Sequence, residues 1–154
     1  MAGVPGKLSM PNQIGFAVDS VDATLQHYRD KFSLTGTVQH AELNERCAYR
    51  YRGKPSQCVL KIGVIALEGV DLEFIEVIEG EHPARDHLQS YGEGVNHLGF
   101  FVEDVTAMLR EIPPSFGDIA IEGTFETDTG VRGRFVYLEN VAGGPMYEVM
   151  ALEK

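Results

Sequence analysis

Gln13-Ile-Gly-Phe-Ala-Val-Asp-Ser-Val-Asp-Ala-Thr-Leu25 returns 84 positions later as His97-Leu-Gly-Phe-Phe-Val-Glu-Asp-Val-Thr-Ala-Met-Leu109, with Gly, Phe, Val, Val, Ala and Leu unchanged. Each copy opens on a residue able to bind a metal. Each leads, tens of residues on, to a strand-like segment with a glutamate. These are Glu73 in Asp71-Leu-Glu-Phe-Ile-Glu-Val77 and Glu148 in Met146-Tyr-Glu-Val-Met150. A duplicated module with one such residue and one carboxylate per copy can set four ligands around a pseudo-two-fold axis. An active site between the halves is the leading expectation.

Outward from that repeat, each half reads as a strand, a helix and three strands. In the first half, residues 12–18 alternate as a strand, and Asp19 or Ser20 caps the helix that follows. Val21, Leu25, Tyr28 and Phe32 share one helical stripe, and Gly36 ends the element. Residues 37–52 and 57–67 read as strands on either side of the turn signal Gly53-Lys-Pro-Ser56, and 71–78 as another. The second half repeats the pattern: a strand at 96–102, Asp104 as cap, and an apolar stripe of Val105, Met108, Leu109 and Ile112 stopped by Pro113-Pro114. Strands near 118–126, 133–139 and 145–151 complete it.

The resulting division is a flexible lead-in at 1–10, a first βαβββ module at 11–80, a linker with a short helix at 81–94 and a second βαβββ module at 95–152. Neither half buries enough surface by itself. Edge to edge they make an α+β domain: one curved mixed sheet of about eight strands, helices on the convex side.

A formal net charge of −10 argues against nucleic acid and against anionic membranes, since both need a basic surface. No apolar run is long enough to span a bilayer, and the N-terminus lacks a hydrophobic signal core. Two cysteines, Cys47 and Cys58, do not suggest a disulfide framework and read as reduced thiols. The expectation is a soluble, cytoplasmic protein with a small-molecule substrate.

Alternation puts Gln13 on one strand face with Gly15, and His97 on one face with Gly99. A glycine two residues on leaves space, as an open site requires. Glu148 shares a strip with Met146 and Met150, where a lone carboxylate is costly unless paired or bound to a cation. Taken singly, each residue has an ordinary reading: a core histidine, a solvated strand edge. Their matched placement argues otherwise. One imidazole, two carboxylates and one amide oxygen suit a single divalent ion (Zn²⁺, Co²⁺, Ni²⁺, Mn²⁺ or Fe²⁺) with open positions left for substrate. In a mainly acidic chain, Arg46, Arg50, Arg52, Lys54 and Lys61 form the basic cluster. Arg50 and Arg52 are candidates to hold a carboxylate or phosphate, although a solvated strand face is the ordinary reading of such a run, and of Arg132 and Arg134.

Over residues 11–152 the chain resembles the vicinal-oxygen-chelate superfamily of glyoxalases, bleomycin-resistance proteins and dioxygenases. The resemblance rests on Gln13-Ile-Gly-Phe-Ala-Val18, Leu72-Glu-Phe-Ile-Glu76, the run from Gly92 to Asp104, and Tyr147-Glu-Val149. It implies paired βαβββ modules with metal ligands Gln13, Glu73, His97 and Glu148 on the concave face. It also implies that the protein is a homodimer. Within the superfamily the framework is similar to methylmalonyl-CoA epimerases, whose first ligand is usually histidine. The ligand set instead resembles eukaryotic glyoxalase I. Ala17 and Val77 stand where those glyoxalases carry glutathione-binding Arg and Asn. With one candidate histidine, the set departs from that of extradiol dioxygenases. The implied activity is metal-dependent proton transfer next to a carbonyl, on an acyl-CoA such as methylmalonyl-CoA. Glu148 would carry the proton, and Glu45 (or Glu42) would act from the opposite face. A glyoxalase-type lyase and a small-molecule binding protein are the alternatives.

Overall fold

Strand, helix and strands recur twice in the computed structural model, which describes residues 8, 10–112, 117–127 and 129–153. In the first half, β1 (Gln13–Ala17) leads into α1 (Val21–Phe32), then β2 (Thr37–Leu43), β3 (Arg50–Tyr51), β4 (Lys54–Pro55), β5 (Cys58–Ala66) and β6 (Asp71–Gly80). The connector holds α2 (Pro83–Tyr91). The second half runs β7 (Gly94–Phe101), α3 (Val105–Glu111), β8 (Ile119–Glu126), β9 (Arg132–Leu138) and β10 (Met146–Leu152). The lead-in expected at 1–10 and the stop at Pro113-Pro114 fall mostly or wholly outside the described residues.

Both helices of the repeat start where their caps predict. The Ser20 side chain accepts from the Ala23 N–H, and the Asp104 side chain from the Ala107 N–H. The first helix ends before Gly36: Ser33 takes the left-handed conformation at φ 56°, and Phe32 is 61% exposed, off the buried stripe. Val21 and Leu25 pack on Ile65 and Phe74, while Val105 and Met108 pack on Val136, Leu138 and Val149. Each large apolar side chain sealed this way contributes about 1.5–3 kcal/mol. These two helices cover the convex face. The connector helix differs, for Ala84 and Leu88 join the concave core.

The strands of the described residues form one curled sheet in the order β2-β5-β6-β1-β7-β10-β9-β8-β3-β4. The modules meet through antiparallel β1 and β7, while β1–β6 and β7–β10 run parallel. Among the described residues the sheet has ten strands, not about eight, because the strand expected at 37–52 breaks. Asn44 accepts from the Arg46 N–H and caps a 3₁₀ turn at Glu45–Cys47, and Ala48 then takes φ 51°. The chain returns as a tight hairpin whose corner, Arg52 and Gly53, has φ of 48° and 80°, the positive pair that a two-residue hairpin turn demands. This hairpin pairs with β8 of the other module: Arg50 with Glu122, Tyr51 with Ile121. Tyr49 is buried beside it and donates its hydroxyl to the Glu81 carbonyl at 2.8 Å.

Candidate metal centre

The register of β1 on β7 builds the site. Ile14 faces Leu98, with Gln13 opposite Gly99 on one side and Gly15 opposite His97 on the other. Next door, β6 sets Glu73 beside Gly15, and β10 sets Glu148 beside Gly99. Two rows cross the sheet, Glu73–Gly15–His97 and Gln13–Gly99–Glu148, each with glycine between two polar residues. The space foreseen beside each polar residue is real, but the other copy's glycine supplies it. A Cβ on Gly15 would lie 1.9 Å from His97 Cε1, and one on Gly99 would lie 3.0 Å from Gln13 Cβ and Oε1.

Four oxygens converge on His97 Nε2. Glu73 Oε2 and Glu148 Oε2 each stand 3.2 Å away, Gln13 Oε1 3.3 Å and the Tyr137 hydroxyl 3.4 Å. The other ring nitrogen, Nδ1, faces Asn96 Oδ1 at 3.2 Å. Burial would push the imidazole down, but hydrogen bonds and charge from Glu148 and Glu73 outweigh it and hold the pKa at about 9. Burial raises Glu148, against the pull of His97. Burial and then the two glutamates drive the Tyr137 hydroxyl well up, so it stays protonated.

This set fits a divalent cation. Ligand atoms of Glu73, His97 and Glu148 lie within 4.8 Å of one another, the spread expected of groups sharing one ion at about 2.0–2.2 Å each. Charge says the same: two carboxylates and one imidazolium leave a net negative charge in a buried place, which a divalent ion removes. With Nδ1–H donated to Asn96, the Nε2 lone pair is left for a metal. Gln13 would add a neutral oxygen.

Above this cluster opens a cavity of about 550 Å³ lined from both halves of the sheet. Leu60, Ile62, Ile75, Phe135 and Met150 make apolar walls; Glu126 and the half-exposed Phe101 lie toward the rim. Besides Glu73 and Glu148, the polar lining includes Tyr137 and His82. His82 is 2% exposed, caps α2 by accepting the Ala84 N–H on Nδ1 at 3.1 Å, and meets the Tyr137 ring edge-on at 5.9 Å. Burial, then His97, lowers it to about 3, so it is neutral.

Gln13, Glu73, His97 and Glu148 are thus brought together as the repeat foretold. Other candidates are not. Glu45 lies exposed on the 3₁₀ turn, away from the cavity lining, and Glu42 lines a separate hollow with Gln57 and Glu79. Arg50 faces Glu122 and the Gly53 carbonyl, and Arg52 pairs with Glu139 and Asp86; neither lines the cavity. Arg52 also lies past the strand that holds Arg50, so the two share no strand face. Sequence reading missed Tyr137, Asn96 and His82. Tyr137 becomes visible once β9 is paired, for it stands opposite Glu148. The His82-Pro83 step carried a signal, since proline at the first helical position marks the residue before it as a cap.

Residues 12–132 match the family model of the Glyoxalase/Bleomycin resistance protein/Dioxygenase superfamily, and the chain belongs to that superfamily. Comparison with curated proteins returned no match in sequence. Among solved structures, a methylmalonyl-CoA epimerase from Mycobacterium tuberculosis superposes with a TM-score of 0.66 at 17% identity, over 100% of this chain and 94% of that one. A Streptomyces coelicolor methylmalonyl-CoA epimerase variant in complex with 2-nitronate-propionyl-CoA gives 0.60 at 22% identity, over 94% and 98%. A 4-hydroxymandelate synthase mutant from Streptomyces coelicolor gives 0.60 at 14% identity, over 99% of this chain and 51% of that one. At these identities the likeness is one of fold. No helix among the described residues is long and apolar enough to cross a membrane.

Proposed function

We propose that this member of the superfamily is a metal-dependent enzyme that moves a proton at the carbon next to a carbonyl, in the manner of an epimerase or isomerase. The observation that carries the reading is the convergence of Gln13, Glu73, Glu148 and Tyr137 oxygens on His97 Nε2, at the base of an apolar cavity. Gln13, Glu73, His97 and Glu148 would hold one divalent ion (Zn²⁺, Co²⁺, Ni²⁺, Mn²⁺ or Fe²⁺). Bound there, the ion supplies Lewis acidity that makes the neighbouring C–H easier to deprotonate.

The protein's own groups do the rest. Glu148 is the proton carrier: its buried carboxylate stands at the base of the cavity, beside the position of the ion and within reach of a substrate there. Tyr137 stays protonated beside it and can donate a hydrogen bond to developing negative charge. The apolar walls keep water from competing for the proton. Glu148 is the proton carrier that the cavity offers. Glu45, expected on the opposite face, would have to reach it through movement of the 45–47 turn.

Acyl thioesters are the favoured substrates, because epimerase neighbours are recorded with methylmalonyl-CoA and with 2-nitronate-propionyl-CoA. A glyoxalase-type reaction on a 2-oxoaldehyde adduct is the second reading, favoured by the donor set of one amide, one imidazole and two carboxylates. The test starts with metal content by mass spectrometry on untagged protein, beside His97→Ala and Glu148→Ala. About one ion per chain, lost in both variants, is expected of a four-donor site. Absence of metal, with none taken up on addition, overturns the reading. Solvent deuterium entering an acyl-CoA without hydrolysis then separates epimerase from lyase.

A further inference from the structure

We infer that the substrate presents an uncharged flank to this cavity: a carbonyl compound whose body beyond the metal-held end is apolar and carries no carboxylate or phosphate. This rests on the proposed metal site. Three lining residues are carboxylates: Glu73, Glu148 and, at the rim, Glu126. A divalent ion offsets the first two and leaves no surplus. Arg132 stands 3.7 Å from Glu126 and offsets the third.

Among the described residues, no Lys or Arg lines the cavity, and the one further basic side chain in its lining, His40, is exposed. Of the cations elsewhere on the sheet, Lys61 pairs with Asp22, Arg134 and Arg50 with Glu122, and Arg52 with Glu139 and Asp86. Arg85 donates to the Val77 carbonyl. A carboxylate brought between Leu60, Ile75 and Met150 would lose its hydration and gain no partner charge, which is the costly case.

What the cavity does offer is a neutral donor. His82 Nδ1 accepts the Ala84 N–H, so the ring proton sits on Nε2. Among the described residues Nε2 has no hydrogen-bond partner, yet no fully buried side-chain nitrogen or oxygen lacks one. Nε2–H therefore opens onto the cavity that His82 lines. A neutral N–H beside a phenol suits a carbonyl, hydroxyl or thioester oxygen. A simple acyl thioester or an oxoaldehyde adduct fits this description.

The test holds the chelating head constant and varies one charge. Zinc-loaded protein, its metal content measured first, is titrated calorimetrically with benzohydroxamate and with 4-carboxybenzohydroxamate. The acid should bind at least about tenfold more weakly, the size of one poorly compensated buried charge. Glu126→Lys, at the exposed rim, should narrow that gap. Equal or tighter binding of the acid overturns the inference. So does zinc uptake without binding of either probe, which would mean that the cavity admits no apolar flank. Failure to take up zinc at all is instead the failure of the proposed metal site.

Discussion

Gly15→Ala should abolish metal binding while leaving the chain folded, and the size of the effect can be read from the site. The new methyl would lie 1.9 Å from His97 Cε1 and 2.3 Å from both ring nitrogens. Carbon atoms pack at about 3.5–4.0 Å, so the ring must retreat by about 1.5 Å. It has nowhere to go: His97 is fully buried, its ring 4.7 Å from that of Tyr137. Metal sites tolerate about 0.2 Å of error in a ligand distance, so His97 is lost as a ligand. Disturbing even an outer partner of a ligand costs about 10–100-fold in affinity, and a displaced ligand should exceed that. Overpacking should cost about 1–3 kcal/mol of stability. Gly99→Ala is the control. Its methyl meets Gln13 at 3.0 Å and Met150 Cε at 3.2 Å, both flexible side chains, so affinity should fall only a few-fold. Zinc competition against a chromophoric chelator and urea denaturation measure the two quantities. Wild-type zinc affinity in Gly15→Ala, or an equal loss in Gly99→Ala, would refute the reasoning.

The raised His97 pKa makes metal-free protein sensitive to alkali: its contribution is fully present below about 6.5 and lost as pH rises through about 9. Thermal melts of chelator-treated protein across that window should decline, with His97→Gln flat by comparison, while zinc affinity of the wild type climbs over the same range. His82→Asn keeps an acceptor for the Ala84 N–H and removes the cavity donor. His82→Gln should do the reverse, costing about 1 kcal/mol for the lost cap by urea denaturation. Equal stability of the two would refute the cap assignment. Replacing Arg50 and Arg52 together with alanine should leave probe affinity for the zinc-loaded site unchanged and cost about 1 kcal/mol or less, since both are exposed pairs. A large loss of affinity would restore them as substrate ligands. Cys58, buried with its thiol pushed up to about 11, should resist a thiol reagent under native conditions while the half-exposed Cys47 reacts. Rapid modification of both would contradict the packing around Cys58.

The repeat made the core of the fold and the placement of the four candidate ligands legible, because a strand's two-residue period carries identity of position into identity of face. His97 and Gln13 could be paired before any geometry was known. The hairpin at 50–55 could not, since its partner is Glu122 and Ile121 in the other half, and no local pattern encodes a pairing over that separation. Glu45 failed to reach the cavity for a related reason: a strand drawn from 37 to 52 would have aimed it inward, but the Asn44 cap turns the chain out. Tyr137 and His82 entered through tertiary pairing, the one across β9 and β10, the other through a helix cap.

The hairpin also constrains how such a chain can be made. Residues 44–57 leave one rim of the sheet and settle on the opposite rim, against a strand that begins at Ile119. A ribosome releases the first half with Tyr49 and Tyr51 still waiting for partners not yet synthesised. The halves look like tandem units, but the first cannot be completed without the second. Cut in the connector, they should behave as a complementing pair of fragments, each unfinished, and not as two small domains.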